Sequence, residues 1–322
     1  MSESPLANSS KVIDLTLYSD GQKMDPSIGV SSVSVTNAIN KIPFARIELL
    51  DGDMPNKEFP LSDSNDFDPG KKIKIEAGYG QQQDTIFEGI VVKHSIKIIG
   101  DNDSRLVIEC RDEAVKMTVG RHNSNFLDKT DSDIIGQLIT DSGLEQVVDT
   151  TSVKYAELVQ YYCSDWDFLL SRAEVNGLLV IVDSGKVSVK APDTASTAEL
   201  KLTYGEDLIE LHADIDARLQ LANVESASWD PSTQKVMTDS ASPQDLNKQG
   251  DLDSDKLAKV LGIKSFQLQT AGLLQQPELK GWAEAQQQKA GLARIRGRMK
   301  FQGSAKARPG TQHSSSPSYN NG

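Results

Sequence analysis

A period of two dominates the first third of the chain and limits what it can fold into. Between residues 11 and 112, apolar residues alternate with polar ones, as in the run 72–77. Such alternation buries one face of an antiparallel sheet. Turns rich in Gly, Asn and Asp separate the runs, and residues 91–99 and 105–111 are predicted to pair as a hairpin. Short strands at this spacing predict a small barrel or sandwich.

The pattern changes near residue 120, where helical signals replace the alternation. Thr130 with Asp133, and Ser164 with Asp167, have the form of helix capping boxes followed by apolar residues at helical spacing. Residues 119–202 therefore predict a compact α+β unit with two helices and a hairpin.

Alternation resumes after residue 203 and predicts a second β module. Residues 277–293 are helix-forming, and the final residues are rich in Ser, Asn, Pro and Gly. The predicted organisation is a flexible N-terminus (1–10), a first β-barrel (11–118), an α+β domain (119–202), a second β-barrel (203–310) with a helix near 277–293, and a disordered tail (311–322). If the chain is truncated, the second barrel lacks strands.

Charge is distributed unevenly along the chain. Residues 1–284 hold 27 basic and 46 acidic residues, a net charge of −19, and no acidic residue follows them. A body this acidic repels phosphate backbones, so nucleic acid is excluded as its partner. The basic residues of the last strand share one alternating face: Arg294, Arg296, Arg298 and Lys300. They are candidate interface or lumen-facing residues, and a solvated charged strand is an equal alternative.

The sequence lacks the patterns of common catalytic and metal sites. Its four His residues are isolated, and no nucleophile elbow, Walker loop or dinucleotide-binding loop occurs. Asp251, Asp253 and Asp255 have the spacing of an EF-hand, but Lys256 and Gly262 stand where Gly and Glu are required. We predict no enzyme activity, no cofactor and no metal site.

The hydropathy pattern shows whether the chain has a membrane-spanning segment or a signal peptide. No apolar run approaches the roughly 18 residues needed to cross a bilayer. The N-terminus has neither the basic nor the apolar region of a signal peptide. The sequence therefore predicts no stable membrane insertion, no signal peptide and synthesis in the cytoplasm.

One segment resembles a known family. Residues 160–169, continued to residue 177, resemble the signature of the VgrG and late-control-protein-D family, the spike and hub proteins of contractile tails, type VI secretion systems and extracellular contractile injection particles. Residues 87–91 and 228–231 also resemble the family, and the likeness runs from about 11 to 310. The signature residues are Tyr161, Trp166, Asp167, Phe168, Leu169, Arg172, Glu174 and Gly177.

The resemblance implies a fold and a role. Family hubs carry two similar small antiparallel β-barrels flanking an α+β insertion domain, so the expected class is a β-rich, tail hub-like α+β fold. Three copies would form a homotrimer that adapts the sixfold tail tube to a threefold spike. The implied partners are the tail tube protein, the spike or needle tip, baseplate proteins and effector cargo. The hub would assemble in the cytoplasm and leave it within a secreted or extracellular particle.

Individual signature residues have simpler explanations as well. Trp166, Phe168 and Leu169 are expected to pack in the core on one face of a helix. Tyr161 and Tyr162 are adjacent strand residues that face opposite ways, so one is expected to reach a partner.

The chain departs from the family at its end. Pro309-Gly310 meets a low-complexity tail where family members continue into a further strand and a needle. Either the needle is a separate polypeptide, or the chain is truncated or frame-altered. Two other functions stay open: a cell-wall-degrading hub enzyme of the glycoside hydrolase class, and a monomeric β-rich binding module.

Overall fold

A computed structural model describes most of the chain. The described residues are 4–5, 12–80, 82–100, 103–244, 246, 252–270 and 272–316.

Strands form most of the regular structure. They are β1 (Ile13–Ser19), β2 (Gln22–Lys23), β3 (Val30–Thr36), β4 (Phe44–Leu50), β5 (Lys72–Tyr79), β6 (Gln82–Ile99), β7 (Asp103–Arg111), β8 (His122–Thr130), β9 (Glu145–Val148), β10 (Lys154–Cys163), β11 (Leu179–Asp183), β12 (Lys186–Lys190), β13 (Leu200–Thr203), β14 (Leu208–Ile215), β15 (Val224–Asp230), β16 (Lys235–Ala241), β17 (Phe266–Thr270), β18 (Ile295–Phe301) and β19 (His313–Ser316). The α-helices are α1 (Asp131–Asp141), α2 (Asp165–Val175), α3 (Ser254–Ala258) and α4 (Gln276–Leu292), and short 3-10 helices cover Asn65–Phe67, Glu113–Thr118 and Ala217–Leu219.

The N-terminal strands form one antiparallel sheet in the order β2-β1-β5-β6-β7-β4-β3. The predicted hairpin is confirmed as β6 and β7, which pair from Ile90 with Arg111 to Ile99 with Asp103. Alternate residues such as Ile47, Ile75 and Ile108 are fully buried in its core, as the period of two predicts.

This sheet is open in the part of the chain that the structure describes. Its end strands β2 and β3 each pair with one neighbour, so no ladder closes it into a barrel. The prediction of a first β-barrel is therefore not confirmed. Alternation identifies a sheet with one buried face, but barrel closure depends on strand tilt and register, which alternation does not encode.

The α+β unit has its own core. α1 and α2 pack together with the sheet β11-β12-β9 and the pair β8-β10 around residues that include Ile135, Leu169 and Val180. Both predicted helices are confirmed, and the Thr130 capping box is present at the start of α1. The predicted hairpin is confirmed as β11 and β12.

The C-terminal helix α4 covers one face of the sheet β16-β15-β17. Polar side chains hold it there. The Gln287 amide donates to the carbonyls of Leu221 and Ala241, both at 3.1 Å, and the Ser226 hydroxyl donates to the Leu279 carbonyl at 2.7 Å. Because α4 is rich in Gln and Ala, hydrogen bonds supply much of the contact that larger apolar side chains would otherwise give.

A second barrel is not confirmed either. The strands between residues 204 and 310 divide into the sheet β16-β15-β17 and the separate pair β14-β18, and no ladder joins them within the described residues. Alternation in β14 and β18 marks an amphipathic ribbon, yet both of its faces are exposed.

Both ends of the chain differ from the prediction in the residues that the structure describes. The tail 311–322 is not disordered at its start, because His313–Ser316 pairs in parallel with Leu200–Thr203. Ladder hydrogen bonds use the backbone, so a polar sequence can still add a strand. At the N-terminus, Pro5 is buried and the Ser4 hydroxyl donates to Asp207 Oδ2 at 2.7 Å. The rest of 1–10, and residues 317–322, lie outside the described residues.

Candidate functional site

The signature helix α2 begins at a complete cap. The Ser164 hydroxyl oxygen accepts the Asp167 backbone N–H at 3.1 Å and donates to the Asp167 carboxylate at 2.7 Å. Trp166, Phe168 and Leu169 are buried, and the Phe168 ring stacks on Phe126 with centroids 5.9 Å apart. Asp167 therefore starts the helix and the three apolar residues anchor it in the core.

Arg172 is the centre of a buried polar network that joins the two helices. Its guanidinium binds the Asp131 carboxylate through two hydrogen bonds of 2.6 and 3.0 Å. The Tyr155 hydroxyl donates to Asp131 at 2.9 Å and accepts from Arg172 at 2.8 Å, and the Asn176 amide donates to Asp131 at 2.7 Å. Burial raises the pKa of the Tyr155 phenol above its usual range. Every side chain of the network is hydrogen-bonded to another member, so the network fixes how α1 and α2 pack together.

The end of α2 contacts α4. Gly177 has φ +67°, and a Cβ there would lie 3.2 Å from Gln288 Oε1 and 3.3 Å from Ala285 Cα. The Gln288 amide donates to the Gly177 carbonyl at 3.0 Å, and Glu174 forms an exposed ion pair of 2.5 Å with Lys289. Glu174 and Gly177 therefore join the α+β unit to the C-terminal helix.

Tyr161 and Tyr162 do not follow simple alternation. A bulge interrupts the pairing of β10 with β8 between Gln160 and Cys163, and Tyr162 has φ +46°. As a result both rings are exposed, at 82% for Tyr161 and 60% for Tyr162. The Arg121 guanidinium lies 5.0 Å from the centroid of the Tyr162 ring, a cation–π contact. The bulge adds a residue to the strand, so the regular alternation on which the sequence prediction depends does not hold between Gln160 and Cys163.

The basic residues of the last strand divide into two groups. Arg296, Arg298 and Lys300 lie in β18 on one exposed face. Arg294 does not belong to that face, because it precedes the strand at the end of α4 and is 3% exposed. Alternation in the sequence does not mark the junction between helix and strand, so the predicted face includes one residue too many.

The pair β14-β18 forms a ribbon with two different faces. One face carries cross-strand pairs of charged or titratable residues: Glu210 with Lys300, His212 with Arg298 and Asp214 with Arg296. The other carries Leu211 with Met299, Ala213 with Gly297 and Ile215 with Ile295. We call this pair the C-terminal ribbon.

Two of the His residues and one residue of the acidic loop have local partners. No group of three or more His, Cys, Asp or Glu side chains in the described part of the chain could hold a metal ion. His122 Nδ1 lies 2.9 Å from Asp165, and His94 Nδ1 lies 3.2 Å from the Phe67 carbonyl. Asp253, from the acidic loop, accepts the Lys256 N–H at the start of α3. None of the described helices is both long and apolar enough to traverse a bilayer.

A family model identifies the chain's relatives. The family described as the Alg8 N-terminal domain matches residues 9–314. The chain belongs to this family. The Alg8 N-terminal domain family is not the VgrG and late-control-protein-D family that the signature resembles, so membership of the latter stays a prediction. No curated protein sequence matches the chain.

Several solved structures are similar in fold to this chain. A tail protein from Neisseria meningitidis has a TM-score of 0.68 at 10% identity, covering 95% of this chain and 86% of its own. The 43 kDa tail protein of prophage MuSo2 from Shewanella oneidensis has a TM-score of 0.64 at 10% identity, covering 91% and 83%. Prophage tail protein gp18 from Listeria monocytogenes has a TM-score of 0.51 at 12% identity, covering 80% and 72%. The chain thus has a β-rich fold similar to that of phage tail proteins.

Proposed function

We propose that this protein is a structural component of a contractile, phage-tail-like particle. The observation that carries the proposal is the likeness of fold to two tail proteins across at least 91% of this chain and at least 83% of theirs. A match of this extent includes the α+β unit as well as the flanking strands.

The finer proposal is that three copies form the hub between tail tube and spike. Its partners are then the tube protein, the spike or needle tip and baseplate proteins. Effector cargo is a further partner. The hub assembles in the cytoplasm and leaves it within the particle. The open sheets support this role, since strand edges and exposed faces become stable when neighbouring chains cover them.

The proposed role is non-catalytic. The competing enzyme hypothesis, a cell-wall glycoside hydrolase, needs two carboxyl groups facing each other across a cleft. Incubation of the purified protein with peptidoglycan tests it, and we expect no release of sugar fragments. Release that survives repurification would support the enzyme instead.

Deletion of the gene tests the structural role. We expect the deletion strain to yield no complete particles in negative-stain electron micrographs, and expression of the intact gene from a plasmid to restore them. Complete particles of normal length and number from the deletion strain would refute the proposal.

A further inference from the structure

An Asn-Gly pair, Asn176 and Gly177, stands where α2 ends. In such a pair the glycine nitrogen can attack the amide carbon of the asparagine side chain, because glycine has no Cβ to hinder the approach. The Gly177 nitrogen then bonds to Asn176 Cγ, the Cγ–Nδ2 bond breaks, and ammonia leaves with the Gly177 amide proton. Water opens the resulting cyclic imide at either carbonyl and leaves aspartate or isoaspartate, so the net reaction is hydrolysis of the side-chain amide.

The folded backbone holds the two reacting groups apart. Asn176 has ψ 3°, so the Gly177 nitrogen eclipses the backbone nitrogen of Asn176 about the Cα–C bond. Ring closure requires the Gly177 nitrogen to eclipse Cβ instead, because Cβ carries the carbon that is attacked. The Gly177 N–H also donates to the Glu174 carbonyl at 3.1 Å. The end of α2 therefore has to open before the imide forms.

The side-chain amide of Asn176 is held as well. Its Nδ2 donates to Asp131 Oδ2 at 2.7 Å and to the Arg172 carbonyl at 2.8 Å. Asp131 is 1% exposed, and Arg172 and Tyr155 hold its carboxylate in place. A hydrogen bond to a charged group is stronger than one between neutral groups. Rotation of the amide towards Gly177 is therefore controlled by the buried network around Arg172.

We propose that Asn176 is a deamidation site that the native fold keeps unreactive and that acts as a one-way covalent switch once the end of α2 opens. The product carboxylate has no proton to donate to Asp131, and two carboxylates at that distance repel each other. Isoaspartate also adds a carbon atom to the main chain. Deamidation therefore opposes renewed packing of α1 against α2. The inference goes beyond the proposed function and does not depend on it.

Peptide mass spectrometry of the full chain tests the inference. Trypsin releases residues 173–186 as one peptide, and its only asparagine is Asn176. Deamidation replaces –NH2 by –OH and so raises the mass of this peptide. In mildly alkaline buffer, we expect the chain unfolded in guanidinium chloride to deamidate at Asn176 at least about a hundredfold faster than the folded chain, because two hydrogen bonds of the amide must break first.

Asp131→Ala and Tyr155→Phe form a matched pair of variants. Asp131→Ala removes the carboxylate that accepts from Asn176, whereas Tyr155→Phe removes a hydroxyl from the same network and leaves that hydrogen bond in place. Each folded rate is divided by the rate of the same variant in guanidinium chloride. The ratio should be at least about tenfold larger for Asp131→Ala, the effect of losing a hydrogen bond to a charged group. Far-UV circular dichroism and melting temperature confirm that both variants are folded.

A second pair of variants tests the effect of the product. Asn176→Asp has the product side chain, and Asn176→Ala removes the same amide without adding a charge. At neutral pH the equilibrium constant for unfolding should be at least about tenfold larger for Asn176→Asp, since two carboxylates then face each other.

Any of four results would overturn the inference. They are an unfolded chain that stays unmodified at Asn176, a folded wild type that deamidates as fast as the unfolded chain, an Asp131→Ala ratio no larger than that of Tyr155→Phe, and equal stability of Asn176→Asp and Asn176→Ala.

Discussion

Replacement of Gly177 by Ala tests how the signature joins the α+β unit to helix α4. Gly177 combines a left-handed φ of +67° with a close approach to Ala285 and Gln288. Gly143 offers a matched control, because it follows α1 with a φ of +73° and a Cβ there would meet nothing within 4 Å. Comparison of the two variants therefore isolates the contact with α4 from the backbone conformation.

The expected magnitudes follow from these contacts. A non-glycine residue in the left-handed region costs about 1 kcal/mol, so Gly143→Ala should lower the free energy of unfolding by about that much. At Gly177 the new Cβ would lie 3.3 Å from Ala285 Cα, which is backbone and cannot rotate away. Moving Gln288 aside also loses its hydrogen bond to the Gly177 carbonyl, worth about 1 kcal/mol. Gly177→Ala should therefore cost about 2 to 3 kcal/mol.

Urea denaturation followed by tryptophan fluorescence measures both effects. Trp166 is buried in the core of the α+β unit and reports on its unfolding. Gln288→Ala should show the loss of the hydrogen bond alone, about 1 kcal/mol. Equal destabilisation by Gly177→Ala and Gly143→Ala would refute the contact between the end of α2 and α4.

Three further predictions concern stability. Arg172→Met leaves the buried Asp131 carboxylate without its cation and should lower the free energy of unfolding, measured by urea denaturation, by about 3 kcal/mol. Adding Asp131→Leu to the same chain should recover part of that loss. If the losses of the two single variants simply add in the double variant, the proposed network is contradicted. Gln287→Leu removes the donor for two carbonyls and should cost about 1 to 3 kcal/mol, and an unchanged midpoint would contradict the polar docking of α4. Hydrogen bonds from Ser232 and Thr233 lower the pKa of Asp230 to about 2, so its contribution to stability is present above about pH 4 and lost as the pH falls towards 2. Asp230→Asn should flatten the dependence of stability on pH in that window, and an unchanged slope would contradict this.

Local structure could be predicted from the sequence because its causes are local. The Thr130 and Ser164 caps lie within three residues of their partners, and alternation along 91–99 and 105–111 is visible without knowledge of the fold. The burial of Trp166 and Leu169 follows from helical spacing in the same way.

Long-range features could not be predicted from the same signals. Arg172 and Asp131 are 41 residues apart, so their pairing depends on how α1 and α2 pack. The exposed tyrosines lie at a bulge, and Arg294 is buried where the chain passes from α4 to β18. Whether the strands close into barrels depends on register and on covering chains, neither of which alternation specifies.

High-resolution electron cryo-microscopy of purified particles tests the central claim most directly. The account predicts density that fits this chain where the tail tube meets the spike. Complete particles whose resolved density has no place for this chain would contradict it.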